Sequence, residues 1–171
     1  MADTSSRIDE SKNWFERAAE HVPGYKGYKE KELRREADKI QRLYVAERLE
    51  DSRKKLDEVQ LDLTRRGNLE MLGIIDTTIR KLRTVRDRIQ FADYGYAGLF
   101  DPTKVDQAKL DELYQFDLRL QQEAKGIEDL AATISADSPS LRIDVDLIDD
   151  RIKALDSYFA GREQLITGAG R

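Results

Sequence analysis

From Tyr28 to Arg66 the chain runs without a proline or a glycine, and its apolar residues return every three or four positions. That spacing gathers one apolar stripe on one side of an α-helix and leaves the rest of the surface polar. Such a helix is roughly 58 Å long at the usual rise per residue, so its stripe can be buried only by other long helices laid beside it. The stripe reads Leu33, Ala37, Ile40, Tyr44, then Val45, Leu49, Ser52, Leu56, Val59 and Leu63. The step from Tyr44 to Val45 breaks the alternation once and predicts a local rotation of the seam, as a stutter produces in a coiled coil.

The rest of the chain repeats this design. Gly67-Asn68 supplies a glycine past the helix end and then an N-cap, which predicts a tight αα-hairpin. A helix over about 69–92 turns Leu72, Ile75, Ile79, Leu82, Val85 and Ile89 inward, and folding back at Gly67 brings Phe91 level with Leu43. Asp101-Pro102 reads as N-cap and first helical residue of a helix over about 103–135, with Leu110, Leu113, Phe116, Leu120, Ala124, Ile127, Leu130 and Ile134 inward. Ser138-Pro139 repeats that signal before a helix over about 139–160, whose seam is Leu141, Val145, Ile148, Ile152, Leu155 and Phe159. Near the start, Ile8, Phe15, Ala18, Ala19 and Val22, with Trp14 beside them, mark a short helix over 8–21 that Pro23-Gly24 ends.

The expected fold is therefore all-α, an antiparallel bundle of four long helices plus a short N-terminal helix. Residues 8–160 form one domain, 1–7 a flexible N-terminus and 161–171 a flexible C-terminal tail. Leu56, Leu82, Ile127 and Ile152 are expected in the core.

Composition narrows function. With 34 acidic against 30 basic residues the net charge is −4, which disfavours nucleic acid as a partner. The lack of cysteine excludes disulfides and thiolate chemistry and fits a reducing compartment. The N-terminal residues carry no apolar signal region, and the longest apolar run, Met71 to Ile75, is too short to span a bilayer. A cytoplasmic location is expected, with any membrane contact peripheral.

Few residues point to chemistry. The single histidine, His21, ends the first predicted helix, where a dipole role is the commoner use. One histidine cannot build the paired Glu-x-x-His set of a di-iron bundle. Asp146, Asp149 and Asp150 can share a helix face, but a solvated face explains them more simply than a cation site. Gly24/Gly27 and Gly95/Gly98 lack the strand, lysine and serine of a phosphate loop. No catalytic residue, cofactor or metal is expected.

Two features remain. The first is the basic stripe Arg80, Lys81, Arg83, Arg86 and Arg88, which can face phosphate or anionic lipid, or pair with acids such as Asp111, Glu112, Asp149 or Asp150 across the bundle. The second is a pair of tyrosine-glycine turns carrying Tyr25, Tyr28, Tyr94, Tyr96 and Phe100. Tyrosine joins a large apolar face to a polar tip and is enriched at interfaces. These rings either seal one end of the bundle or form a partner surface there, with residues 92–102 lying along the upper part of the long helix.

The same turns carry a resemblance. Residues 23–32, Pro-Gly-Tyr-Lys-Gly-Tyr-Lys-Glu-Lys-Glu, leading into Arg34-Arg35-Glu36-Ala37-Asp38, resemble the opening of a group of small helical bacterial proteins. Residues 94–101, Tyr-Gly-Tyr-Ala-Gly-Leu-Phe-Asp, followed by Leu113-Tyr114-Gln115-Phe116-Asp117-Leu118, resemble their middle section. Covering about residues 20 to 120, the resemblance implies a bacterial cytoplasmic helical protein and brings no activity with it. The expected function is a non-enzymatic helical adaptor or scaffold that binds a protein partner or a second copy. The alternative is a peripheral binder of anionic membrane or nucleic acid through residues 80–88.

Overall fold

The computed structural model describes residues 28–93 and 107–168. Four helices, α1 (Tyr28–Arg66), α2 (Leu69–Gln90), α3 (Gln107–Thr133) and α4 (Leu141–Thr167), make up nearly all of them, with no strand among the described residues. The short helix expected over 8–21 lies outside those residues, as do residues 1–7.

Local chemistry sets the first turn. Gly67 adopts φ 69°, a left-handed conformation that suits glycine. The Asn68 amide donates to the Leu63 carbonyl and the Gly67 amide to that of Thr64, both at 3.1 Å, which closes α1 with a Schellman motif. Asn68 Oδ1 then accepts from the Met71 amide at 3.2 Å and caps α2.

Around the bundle the close neighbours are α1–α2, α2–α4, α4–α3 and α3–α1, so α1/α4 and α2/α3 sit on the diagonals. Cross-helix bonds give the directions. Gln60 meets Asp76 and Glu50 meets Arg86, so α1 and α2 are antiparallel. Arg151 meets Glu123 and Arg162 meets Asp117, so α3 and α4 are too. Gln41 meets Gln121, while Arg48 meets Glu128, so α1 and α3 run parallel. Lys81 meets Asp149 and Arg88 meets Asp156, so α2 and α4 do likewise. Successive helices therefore alternate in direction, while the ring sets α1 beside α3 and α2 beside α4 in parallel. A tight hairpin forces its two helices side by side, but the long stretch between Phe91 and Gln107 joins helices at opposite corners.

The core is continuous along the ring. Leu49, Leu56 and Leu63 of α1 are buried with Ile75, Leu82 and Ile89 of α2, Leu120 and Ile127 of α3, and Ile148, Ile152 and Phe159 of α4. Leu56, Leu82, Ile127 and Ile152 are all among them.

The tail expected from Gly161 onward is instead helical to Thr167, with Arg162 and Ile166 buried. Gly161 does not end the helix. It makes room for α3: a Cβ there would lie 2.8 Å from the Phe116 ring. The stop is Gly168, at φ 72° with its amide bonded to the Gln164 carbonyl at 2.9 Å.

Gly73 is different again. It lies exposed within α2, and a Cβ there would meet nothing within 4 Å. Gly73→Ala is therefore expected to stabilise the fold by about 0.5–1 kcal/mol, read as a higher urea midpoint at unchanged slope.

Candidate functional site

The seams of three helices become charged at one height. In α1 the inward phase Leu56, Ser52, Leu49, Val45 continues upward in unbroken steps of three and four to Arg42 and Asp38. In α4 the phase Ile152, Leu155, Phe159 continues to Arg162. In α3 the phase Ile127, Ala124, Leu120 continues to Asp117. The result is a buried ionic layer just where α2 ends.

Arg162 is only 1% exposed and lies between two carboxylates. Its Nε is 2.5 Å from Asp117 Oδ1 and its Nη2 is 2.7 Å from Asp38 Oδ1. The second contact is ionic, since it departs from hydrogen-bonding direction. Asp38 Oδ2 accepts from Arg42 Nε at 2.9 Å. Arg42 Nη1 in turn donates to the carbonyls of Ile89 at 3.2 Å and Gln90 at 3.1 Å, satisfying the last turn of α2. Alongside, Gln121 Nε2 donates to Gln41 Oε1 at 2.9 Å. Burial pushes the Asp117 carboxyl above its usual range; Arg162 opposes the rise and Asp38 adds to it.

Among the described residues two carboxylates face two guanidiniums, and such a layer binds helices in one register. A one-turn slide of α3 along α1 would take the half-buried Asp117 away from the buried Arg162. Among the described residues no group of three or more His, Asp or Glu side chains can hold a metal ion.

Because polar residues fill the inward phase of upper α1, its apolar residues point elsewhere. Ile40 is 38% exposed and Leu43 is exposed too, with Ala37 and Tyr44 half-buried. The expected stutter at Tyr44–Val45 is not present as a rotation of the core seam. Ala37 and Ile40 lie off the core seam on another face of α1, and Tyr44 packs against the edge of the core. The parallel register that sets Gln41 against Asp117 and Gln121 brings Tyr114 and Leu118 of α3 to the same height, both exposed. Exposed apolar side chains of α1 and α3 thus lie at one height, that of the ionic layer.

The basic stripe is largely consumed within the fold. Arg80 pairs with Asp76 at 2.9 Å, Lys81 with Asp149 at 2.6 Å, and Arg88 with Asp156 at 2.6 Å and Glu163 at 2.5 Å. Arg86 is half-buried between Glu50 and Asp87. Only Arg83 of the five is exposed and forms no ion pair among the described residues. Arg86 faces α1 while Lys81 and Arg88 face α4, so the run divides between two sides of α2.

Glu50 holds this network together. Hydrogen bonds from Arg53, then from Arg86, keep its carboxyl at about 2 against an ordinary 4.5, although burial opposes them. Burial raises Asp149, but Lys81 and Lys153 outweigh it and bring the group below its usual range. A carboxylate with a depressed folded pKa stabilises above its unfolded value and loses that contribution as pH falls through the folded one. Melting temperature is therefore expected to drop between pH 4.5 and about 2. Glu50→Gln should flatten that drop, and an unchanged acid limb would refute the assignment.

The tyrosine-glycine residues Tyr25, Tyr94, Tyr96 and Phe100, and His21, lie outside the described residues, so the expected shared surface is not resolved by the fold. Tyr28 opens α1. Phe91, at the end of α2, is 72% exposed; Arg42 bonds to Ile89 and Gln90 place it near the height of Leu43. No helix among the described residues is long and apolar enough to cross a membrane. No protein-family model matches the chain, and no curated protein or solved structure matches it either. Nothing outside the chain therefore supplies an activity.

Proposed function

We propose that the chain is a non-enzymatic cytoplasmic adaptor that takes an amphipathic helix of a protein partner onto the exposed apolar side chains of α1 and α3. The observation that carries this reading is the set of exposed apolar side chains at one height, Ile40 and Leu43 of α1 with Tyr114 and Leu118 of α3, of which Tyr114 is 63% exposed. Large apolar side chains grouped on a surface mark an interaction site, and a helix with an apolar face suits such a surface. The ionic layer supports the same reading, because it fixes the register of the two helices that carry them. Peripheral binding through residues 80–88 has less support, since the charges it requires are mostly engaged in ion pairs.

A photoreactive phenylalanine analogue at Tyr114, irradiated in cells of the source organism, is expected to cross-link a protein partner. The same group at Thr77, exposed on α2, should not. Equal products at both positions, or none at Tyr114, would defeat the proposal. Retention on anionic vesicles that Arg83→Ser abolishes would favour the peripheral binder instead.

A further inference from the structure

We infer that the helix taken up on this surface is a basic one, which sets Lys or Arg against Glu36 and Glu47 while its apolar residues meet Ile40 and Leu43. The inference rests on the reading of this surface as a helix-binding site and specifies the chemistry of the partner. Along α1, Glu36, Ile40, Leu43 and Glu47 follow one another in steps of four, three and four, so they share one face of the helix. All four are exposed. The face is an apolar pair with a carboxylate one turn beyond each end.

What marks these carboxylates is that they are unpaired. Among the described residues neither Glu36 nor Glu47 forms an ion pair or a side-chain hydrogen bond. The other exposed apolar sites differ. Beside Leu61, Glu58 pairs with Lys55 and Arg65 with Asp62. Beside Ile143 and Leu147, Arg142 pairs with Asp146 and Lys153 with Asp150. Charges there are balanced within the chain, so a partner gains little from meeting them. An unpaired carboxylate beside an uncovered apolar side chain keeps its charge available, and opposite charges across an interface select and orient the partner.

The same pattern opposes a second copy as the occupant. Two such helices packed antiparallel, with Ile40 of each on Leu43 of the other, would set Glu36 against Glu47. Packed in parallel, each glutamate would meet its own counterpart. Both arrangements bring like charges together, which disfavours self-pairing. Lys39, likewise exposed and without an ion pair among the described residues, sits at the edge of the face between Glu36 and Leu43, where it weakens the attraction for a basic helix.

Two helical probes test the inference. Both are stapled, fluorescein-labelled peptides of alanine and glutamine with two leucines three residues apart. One carries a lysine four residues outside each leucine, and the other carries glutamate at those positions. In fluorescence anisotropy at physiological salt the basic probe is expected to bind roughly tenfold tighter, the size set by two exposed pairs that turn from attraction to repulsion. The preference should shrink as salt rises. Glu36→Lys with Glu47→Lys should reverse it while the circular dichroism melt persists, and Lys39→Glu should enlarge it. Glu58→Lys, farther down the same helix, should leave it as it is. Equal affinities, or a preference that survives the double change, would overturn the inference and leave the surface a helix site. Binding of neither probe would defeat that reading as well. A wild-type dimer that Ile40→Asp dissociates would make a second copy the occupant and overturn the inference.

Discussion

Arg162→Met is expected to cost about 3–5 kcal/mol, because it leaves the buried Asp38 and the half-buried Asp117 carboxylates without the cation between them. That is a large part of the 5–15 kcal/mol by which a domain is ordinarily stable. The loss should read as a lower urea midpoint. It should also depend on pH in a defined sense. Burial already raises Asp117, and Arg162 is what opposes the rise. Without the guanidinium the carboxyl rises further, and a raised folded pKa means that the folded state holds its proton more tightly than the unfolded chain does. The variant should therefore recover stability as pH falls from neutrality toward the raised value. A second comparison separates an unpaired charge from lost packing. Replacing Asp117 and Arg162 together by Leu and Met removes both members of that pair, while Asp38 keeps its bond from Arg42 Nε. This double variant is expected to be more stable than Arg162→Met alone. If it is worse, the layer is held by shape and not by charge.

The apolar periodicity shows where the helices are, but it does not show which face of a helix points inward. In α2 the two questions have one answer: Ile75, Ile79, Leu82, Val85 and Ile89 are the only apolar phase, and all are buried. In α1 they do not. Two apolar phases meet at Tyr44 and Val45, and taking them as one stripe bent by a stutter puts Ile40 inside and Arg42 outside. The structure has the reverse. The signal was present: the inward phase of the lower helix extends without a break to Arg42 and Asp38, and Ser52 already shows that it admits polar residues. The same extension in α4 passes Gly161 to reach Arg162, where glycine serves a close approach to Phe116 and not a helix end.

Pairing partners are a different matter. That Arg162 meets Asp38 and Asp117, or that Arg86 meets Glu50, depends on the order of helices around the ring, and that order turns on a connection crossing a diagonal. Connection length alone leaves adjacency undetermined, because a stretch long enough to cross the bundle can equally return to a neighbour. The exposed apolar set at one height is a consequence of the same fact. Tyr114 and Leu118 flank Ile40 only because α3 lies parallel beside α1.

Phe159→Ala is the second large effect, at about 3–5 kcal/mol for a fully buried phenylalanine. Phe159 fills the layer one turn from Arg162, and the Arg88 guanidinium stands 5.4 Å from its ring centroid. Truncation removes the ring's apolar contacts and opens a cavity beneath the ionic layer, where the surrounding helices can close in only partly. Phe159→Leu keeps most of the volume and should lose distinctly less. The cavity also predicts non-additivity. Once Phe159 is gone, water can reach the carboxylates of Asp38 and Asp117 from below, so the charges stranded by losing Arg162 are already partly solvated. In a double-mutant cycle, Phe159→Ala and Arg162→Met should therefore cost less together than the sum of the two, with a coupling of about 0.5–3 kcal/mol. Simple additivity would mean that the cavity stays dry and that the apolar core and the ionic layer are energetically separate.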